Sequence, residues 1–473
     1  RADGSSKFSK DNRWGFFPGV SAGWIFGRED FIKEAIPVMS FGKLRASYGI
    51  NGNASGIGAY TLQGSYGSSN SNGSFNYNGN TSYLITELPN PNLRWEKTAT
   101  FEVGADLSFF ANRLNTNLTY YNRLTSDKYA ALSFPTSTGF SSVTNNNGEF
   151  RNQGIEIELS GKIIDSKDWT WSASGNIAFN KNKIVSLPDN GMERNRINAF
   201  QVYTGNGDEK KWVGGQQEGQ EPGILYLYQA DGIYRSYDEI PANLVRKYGS
   251  RTYYGPEAWN KLTAEQQNAT TNFPIQPGDT KFHDVNGDDV IDEFDKVKVG
   301  ATSPRWTGGF NTTLRWKNFQ LYGRFDYALG FWLYENSGTQ STTPWFMGCY
   351  QGTYNTPTMY YDTWSESNPN AKYPRYLFAD QNGKNNYIAS TMFAYRGDYL
   401  AIREISLSYS LPESVAKMLK MQRAEVSITG QNLGYITGAK NVGSPEANPK
   451  DNGAVGQGYS LPRTILFGVN LTF

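Results

Sequence analysis

Apolar side chains occupy every second position over long stretches of this chain. The alternation is strict in residues 100–109, where Phe101, Val103, Ala105, Leu107 and Phe109 are separated by Glu102, Gly104, Asp106 and Ser108. Successive side chains of a β-strand point to opposite faces, so a period of two is typical of a strand with one apolar face. The pattern therefore predicts strands rather than helices.

The same alternation recurs along the whole chain. Seven further stretches show it: 43–50, 155–163, 169–179, 310–316, 319–327, 424–433 and 465–473. Together with weaker examples they predict roughly a dozen strands. The helical period is almost absent, and only 412–421 is expected to form a turn or two of helix.

The segments between these strands are of two kinds. Lys317-Asn318 separates two alternating runs and is predicted to form a two-residue hairpin turn, because Asn tolerates positive φ. Residues 51–82 and 186–304 are long and rich in turn-forming residues, and they are predicted to be long loops at the other end of the strands.

The length of the alternating runs and the charges on their polar face indicate whether the strands lie in a membrane or in water. Runs of about 9–11 residues match a tilted strand that crosses a bilayer. The polar face carries full charges, including Glu102, Asp106, Glu156 and Glu158. A closed barrel places lipid outside and water inside, and it satisfies every backbone hydrogen bond. The predicted fold class is therefore an all-β, transmembrane antiparallel β-barrel with long extracellular loops, and a soluble β-sandwich or propeller is the alternative.

Aromatic residues near strand ends support the membrane interpretation. Outer-membrane barrels place aromatic girdles at both membrane interfaces. Six residues are predicted to belong to such girdles: Phe109, Phe110, Trp169, Trp171, Trp306 and Trp316. The alternation of 465–473 ends on an aromatic residue, Phe473, which resembles the C-terminal signal of bacterial outer-membrane proteins.

Composition narrows the function classes further. The chain has 473 residues with 45 basic and 44 acidic side chains, a balance that argues against nucleic acid as a partner. The single cysteine, Cys349, excludes an internal disulfide and a Cys-based zinc site, and the single histidine, His283, excludes a His-rich metal site. No run of about 18 apolar residues predicts a membrane-spanning helix, and no signal peptide is recognisable.

The acidic stretch "DVNGDDVIDEFD" has the ligand spacing of a calcium loop. Six residues fall at its positions 1, 3, 5, 7, 9 and 12: Asp284, Asn286, Asp288, Val290 (by its carbonyl), Asp292 and Asp295. Two departures from the pattern are Asp289 in place of glycine at position 6 and Asp295 in place of glutamate at position 12. A structural Ca²⁺ is predicted, and the alternative is an acidic loop closed by Asx turns without an ion. His283 is expected to be a solvated loop residue.

Residues 343–364 are dense in aromatic side chains. Rings of this kind stack on sugars or on peptide side chains, so six of them are predicted to bind substrate: Trp345, Phe346, Tyr350, Tyr354, Tyr360 and Tyr361. The alternative is that they pack the loop itself or contact a partner. The charges of the polar stretch 205–223 are expected to be solvated.

No sequence motif predicts catalysis. A Ser/His/Asp arrangement would need His283, which lies in the acidic loop, and the G-x-x-x-x-G-K phosphate loop is absent. We predict no catalytic residue and no enzymatic activity.

Several stretches together resemble one family. They include "GKLRASYGINGN" (42–53), "RNQGIEIELSG" (151–161), "PGDTKFHDVNGDDVIDEFDKVKVG" (277–300), "DYLAIREISLSYSLP" (398–412) and "ITGQNLGYITG" (428–438). In this order they resemble the SusC/RagA family of TonB-dependent outer-membrane transporters of Bacteroidetes, over essentially the whole chain.

The resemblance implies a longer protein. Members of the family have an N-terminal extension, a plug domain and a barrel of about 22 strands. We therefore expect residues 1–473 to be the C-terminal part of the barrel, with 186–304 as a long extracellular loop region and with the plug and extension outside this chain. The resemblance also implies a SusD-like surface lipoprotein as partner, contact with TonB through the missing N-terminal region, and energised import of a glycan or peptide.

Two other functions fit the same residues. One is a passive outer-membrane porin of similar architecture. The other is a secreted carbohydrate-binding or carbohydrate-active β-protein with a dockerin-like calcium loop, although dockerin loops occur in pairs followed by helices.

Overall fold

Eleven strands form one antiparallel sheet in the computed structural model of this protein, which describes residues 1–70, 73–74, 76–77, 80–334, 362–375, 388–439, 444–446 and 461–473. We number these strands β1 to β11. Their bounds are β1 Gly19–Trp24, β2 Met39–Asn53, β3 Glu96–Phe109, β4 Leu114–Ser133, β5 Ser142–Asp165, β6 Trp169–Ser186, β7 Trp306–Trp316, β8 Phe319–Leu329, β9 Tyr399–Ser410, β10 Arg423–Thr437 and β11 Thr464–Thr472. The predicted alternating stretches lie in these strands, except that Phe473 is one residue beyond the end of β11.

The order of strands in the sheet is their order in the chain. Each strand pairs antiparallel with the next one, from β1 to β11. Neighbouring strands are therefore joined as successive hairpins, and β1 and β11 form the two ends of the sheet. This is the meander expected of a barrel wall.

The connections at the two ends of the strands differ in size. One end, the short-turn end, carries residues 25–38, 110–113, 166–168, 317–318 and 411–422. The opposite, long-loop end carries residues 54–95, 134–141, 187–305, 330–398 and 438–463. Outer-membrane barrels have short periplasmic turns and longer extracellular loops, which agrees with this asymmetry.

The two-residue turn at Lys317-Asn318 is present, but its strained residue is not the predicted one. Trp316 pairs directly with Phe319, and it is Lys317 that has positive φ, at 52°. A turn of type II′ places positive φ at the first central residue, whereas the expectation assigned it to Asn at the second.

Several strands are much longer than the predicted 9–11 residues. β4 has 20 residues and β5 has 24, and they stay paired up to Ser133 and Ser142. The period-two signal marks only the part of a strand that has one apolar face. Beyond that part apolar residues no longer alternate with polar ones, as in residues 129–132 of β4, while the hydrogen-bonded ladder continues.

Apolar side chains form continuous rows across one face of the sheet. Two rows run through directly paired residues: Ala46, Val103, Tyr120, Ile155, Phe179, Trp306 and Leu329; and Trp171, Leu314, Leu321, Leu407, Ile428 and Phe467. Phe101 is 44% exposed and Phe467 is 81% exposed, so this apolar face is not covered by protein. The opposite face carries the charged set, including Glu102 and Asp106.

The predicted girdle aromatics lie at the borders of this apolar face. At the short-turn end, Trp169 stacks on Trp316 with centroids 5.6 Å apart, and Trp316 stacks on Phe319. At the other border, Phe179 contacts Trp306 at 4.7 Å. Ten residues separate Trp306 from Trp316, which at about 3.3 Å per residue and a tilt of about 40° gives roughly 25 Å. That height matches the apolar band of an outer-membrane barrel.

The largest compact core lies in the loops rather than in the sheet. Residues 187–305 fold into short strands and helices around buried Tyr234, Tyr253, Ile275 and Ile291, with Ile388 added from the connection between β8 and β9. The strands of this loop unit are Phe200–Tyr203, Lys210–Val213, Ile224–Tyr228, Ala230–Ile233, Val245–Tyr248, Arg251–Tyr254, Asn272–Pro274, Thr280–Phe282, Val290–Ile291 and Lys296–Ala301. Its helices are Pro256–Asn260 and Ala264–Gln267.

The remaining elements are small. Helices Asp30–Ala35 and Glu413–Met418 lie at the short-turn end, the second of them within the predicted 412–421. Paired short strands lie at the long-loop end: Ala2–Gly4 with Trp14–Phe16, Ser65–Gly67 with Leu84–Glu87, Ser69–Asn70 with Gly73–Ser74, Asn76–Tyr77 with Asn80–Thr81, and Trp332–Tyr334 with Ala394–Arg396. Among the described residues, no helix has the length and apolar character needed to cross a membrane.

Candidate functional site

The polar face of the sheet is lined by cross-strand hydrogen bonds. Arg45 on β2 bonds to Asp106 at 3.3 Å and to Asn117 at 2.9 Å, so one guanidinium joins three neighbouring strands. Ser108 donates to Asn115 at 2.7 Å and Ser174 donates to Asn311 at 2.9 Å. These pairs follow from the register, because directly opposed side chains on one face of a sheet lie within contact distance.

This polar face borders a cavity of about 590 Å³. Side chains of β3 to β8 line it, and they supply carboxylates, amides, hydroxyls and one guanidinium: Asp106, Ser108, Asn115, Asn117, Glu158, Ser160, Ser174, Asn176, Asn311, Arg324 and Asp326. Such a lining offers donors and acceptors of both signs along its whole width. Such a lining is suited to binding hydrated polar molecules at many points rather than to catalysing one reaction.

A second cluster, of ion pairs and hydrogen bonds, connects a loop to the polar face. The ladder between β9 and β10 shifts register between Ile402 and Glu404, and a β-bulge of this kind re-aims a side chain. Arg403 sits at the shift and bonds to Asp326 at 2.7 Å and to Glu446, whose carboxylate also accepts from Tyr399 at 2.8 Å. Glu446 belongs to the β10–β11 connection, so this ion-pair cluster fixes part of that loop against the sheet.

Sequence reasoning missed the ion-pair cluster. Its members come from β8, from the bulge in β9 and from a loop, and no local spacing connects them. Only the register of the folded sheet brings Asp326, Arg403 and Glu446 together.

The acidic loop is closed by its own carboxylates. Asp284 accepts from the amides of Gly287 and Asp289, each at 2.8 Å, and Asp288 accepts from the amide of Val290 at 2.7 Å. Asp295 accepts from the amides of Val285 and Asp292 at 2.9 and 2.7 Å. Asp289 has φ of 61°, the left-handed conformation that its place at the glycine position of the motif requires. The bond from Val290 to Asp288 is an Asx turn, and the carboxylates of Asp284 and Asp295 close the loop over longer spans.

The donor set of this loop suits a hard cation, but the side chains are not gathered around one point. Asp295 is fully buried, and burial raises its pKa to about 6. The side-chain oxygen of Asn286 is buried and has no hydrogen-bond partner among the described residues. Within that same part of the chain, no three His, Cys, Asp or Glu side chains converge to hold a metal. The calcium assignment of Asp284, Asn286, Asp288, Val290, Asp292 and Asp295 stays a prediction.

Some contacts around the acidic loop differ from the sequence-based expectation. His283 is exposed, and its Nδ1 lies 3.1 Å from a carboxylate oxygen of Asp231. The stretch 205–223, expected to be merely solvated, contacts the loop: Asn286 donates to Asp208 at 2.8 Å, and the ammonium of Lys210 lies 3.5 Å from the ring centroid of Phe294. These contacts join residues that are far apart in the chain and meet only in the folded loop unit, so no local sequence pattern predicts them.

The predicted substrate-binding aromatics, Trp345, Phe346, Tyr350, Tyr354, Tyr360 and Tyr361, lie outside the described residues. From the same aromatic stretch, Trp364 is described. Its indole packs against the backbone of Gly278, where an added Cβ would meet the ring at 2.5 Å. Gly278 has φ of 86° and follows Pro277 in "QPGD", a type II turn signature.

Known proteins resemble this chain along its whole length. The family described as "TonB dependent receptor-like, beta-barrel" matches residues 1–255. TonB-dependent receptor P3 of Formosa agariphila is 29% identical over 100% of this chain and 43% of its own length. TonB-dependent receptor SusC of Bacteroides thetaiotaomicron is 27% identical over 100% of this chain and 41% of its own length. The chain thus spans less than half the length of these relatives.

One solved structure has the same fold. The RagAB peptide transporter superposes with a TM-score of 0.70 at 23% identity, over 100% of this chain and 45% of the transporter chain. The chain therefore belongs to the TonB-dependent receptor-like β-barrel family, and the prediction of an antiparallel outer-membrane β-barrel is confirmed. Its apolar face is the lipid side of the wall and its polar face is the lumen side.

Proposed function

We propose that this chain forms part of the wall of a TonB-dependent importer in the outer membrane, of the SusC/RagA type. The observation that carries the proposal is the two-sided sheet. Its lipid side is a band of apolar rows roughly 25 Å high, and its lumen side is a polar lining with cross-strand hydrogen bonds. The long connections between strands all join them at one end of that wall.

The cargo we propose is a nutrient oligomer, either a glycan or a peptide. A lumen lining of amides, hydroxyls and paired charges can exchange hydrogen bonds with such a chain at many points without holding it tightly at one. The similar RagAB protein is a peptide transporter.

The proposal includes two partners. A SusD-like surface lipoprotein would capture the cargo and cover the long-loop end, where folded loops rather than bare turns form the rim. TonB would act through the region of the protein that precedes this chain, and outer-membrane lipid would surround the apolar rows.

Energised uptake tests the proposal. The full-length protein is produced with its lipoprotein in an outer membrane, and uptake of fluorescently labelled oligosaccharides and peptides is followed with and without a protonophore. We expect uptake of one cargo class that stops when the proton gradient collapses or when TonB is deleted. Uptake that continues in both cases would identify a passive porin instead.

A further inference from the structure

Three cations lie on the lipid-facing side of the wall, just beyond its aromatic border at the long-loop end. Arg151 is on β5, and Lys181 and Lys183 are on β6. The ladder between these strands runs without a register shift from Ile155 and Phe179, in the border row, to Arg151 and Lys183. Because side chains alternate along a strand, these three residues, the cation triad, share the side of that row.

The cation triad brings like charges together. Arg151 and Lys183 are directly opposed in the ladder, and Lys181 is two residues from Lys183 on the same face. Directly opposed residues have Cβ atoms about 4.5–5.5 Å apart, and like charges in this position destabilise a sheet. An anion bound among the three side chains would remove this repulsion.

No carboxylate of the described residues pairs with the cation triad, and its three side chains form no hydrogen bond within that part of the chain. Two glutamates lie close by. Glu149 is two residues from Arg151, beyond a shift in register, and is opposed to Ser186. Glu221, in the connection that runs beside β6, pairs with Arg305. The positive charge of the triad is therefore left for a ligand from outside the described chain.

The lumen side carries amides at the same height. Asn152 and Asn182 alternate with the triad residues and are directly opposed to each other, and Asn180 precedes Lys181. The cations are thus confined to the side of the wall that continues the lipid contact. A molecule that passes through the lumen would meet the amides instead.

The height of the triad matches the headgroup layer of the outer leaflet. Lys181 is two residues beyond Phe179 and Lys183 is four, which at about 3.3 Å per residue and a tilt of about 40° gives roughly 5 and 10 Å. Headgroups occupy about 5–8 Å on each side of the hydrocarbon. Both lysines are exposed, and long cationic side chains can bend along a surface, so their ammonium groups reach this layer.

We propose that Arg151, Lys181 and Lys183 bind a phosphate group of a glycolipid in the outer leaflet of the outer membrane. Guanidinium and ammonium groups form charge-assisted hydrogen bonds with phosphate oxygens. The acyl chains of the same lipid lie against the apolar rows that begin at Ile155 and Phe179, so one molecule contacts both surfaces. The inference rests on the place of the wall in the outer membrane, and not on the cargo or on energised import.

Thermal unfolding and native mass spectrometry test the site in the full-length protein with its lipoprotein, in a non-ionic detergent. The ligands added are monophosphoryl lipid A, the same lipid without its phosphate, and inorganic phosphate. We expect monophosphoryl lipid A to bind and to raise the unfolding temperature. The triple variant Arg151→Gln, Lys181→Gln, Lys183→Gln should bind it about tenfold or more weakly. Without lipid this variant should unfold at the same temperature or higher, because it loses the repulsion between opposed cations.

The matched control is the triple variant Lys167→Gln, Lys317→Gln, Lys420→Gln. These lysines are exposed in three separate turns at the short-turn end, far from the outer leaflet. Its affinity for the lipid should stay within about twofold of that of the unchanged protein.

Four results would overturn the lipid site. The first is equal affinity of both triple variants for monophosphoryl lipid A, and the second is equal binding of the lipid without its phosphate. The third is displacement of the lipid by an equal concentration of inorganic phosphate, which would assign the cations to a free anion. The fourth is loss of the lipoprotein from the cation-triad variant, which would place that partner on the cations.

Discussion

At the scale of single residues, Asp284 and Asp295 each accept two backbone amides in the acidic loop. The carboxylate of Asp284 accepts those of Gly287 and Asp289 and thereby fixes the first half of the loop. The side chain of Asp289, in contrast, is exposed, and its backbone occupies a conformation that favours glycine.

Asp284→Ala should loosen this loop while Asp289→Gly should leave it intact. Losing two hydrogen bonds to a charged acceptor costs about 2 kcal/mol, which raises local opening roughly 30-fold. Hydrogen exchange of the Gly287 and Asp289 amides measures the effect. Unchanged exchange in Asp284→Ala would show that other contacts hold the loop.

The same exchange experiment, repeated with calcium and with a chelator, tests the predicted ion. Calcium bound by the six predicted ligands would slow the exchange of these amides only in its presence. Closure by Asx turns alone predicts the same protection in both conditions.

At the scale of elements, β7 shows how strictly the wall separates its two sides. Phe310 lies midway between the two aromatic borders and stacks on Phe325 at 4.7 Å, on the lipid side. Thr313 lies on the lumen side of the same strand, in register with Ser172 and Tyr322.

Phe310→Arg should therefore destabilise the protein far more than Thr313→Arg. A cation on the lipid face near the bilayer midplane costs about 2–4 kcal/mol, whereas the lumen is wet. Urea unfolding from phospholipid vesicles compares the two variants. Similar midpoints for both would contradict the assignment of faces.

The elements that the sequence predicts well are those with one apolar face. Phe101 to Phe109 could be placed on a strand and on a side, because lipid contact imposes the period of two. The upper half of β5 and the loop unit could not be placed in this way. Their stability comes from ladders between mostly polar residues and from the loop-unit core around Tyr253 and Ile291, and neither leaves a periodic signal.

At the scale of the whole molecule, the two ends of the wall must face different compartments. Tyr237 is exposed on the loop unit at the long-loop end, and Lys167 is exposed in the turn between β5 and β6 at the short-turn end. Long loops of outer-membrane barrels face the outside of the cell.

Cysteine labelling of intact cells checks this orientation. In a Cys349→Ala background, Tyr237→Cys should react with a membrane-impermeant maleimide. Lys167→Cys should react only after the outer membrane is permeabilised. The reverse result would contradict the assignment of the long-loop end to the outside of the cell.

The β4–β5 hairpin continues well past the outer aromatic border. Thirteen residues separate Ile155, in the row of Trp306, from the start of β5 at Ser142. At about 3.3 Å per residue and a tilt of about 40°, the paired ribbon rises roughly 30 Å above the hydrocarbon. If the import proposed above takes place, an oligomer several units long would run along this ribbon before any part of it reaches the depth of the membrane. Cargo molecules of different length would then differ in the number of contacts that they make outside the bilayer.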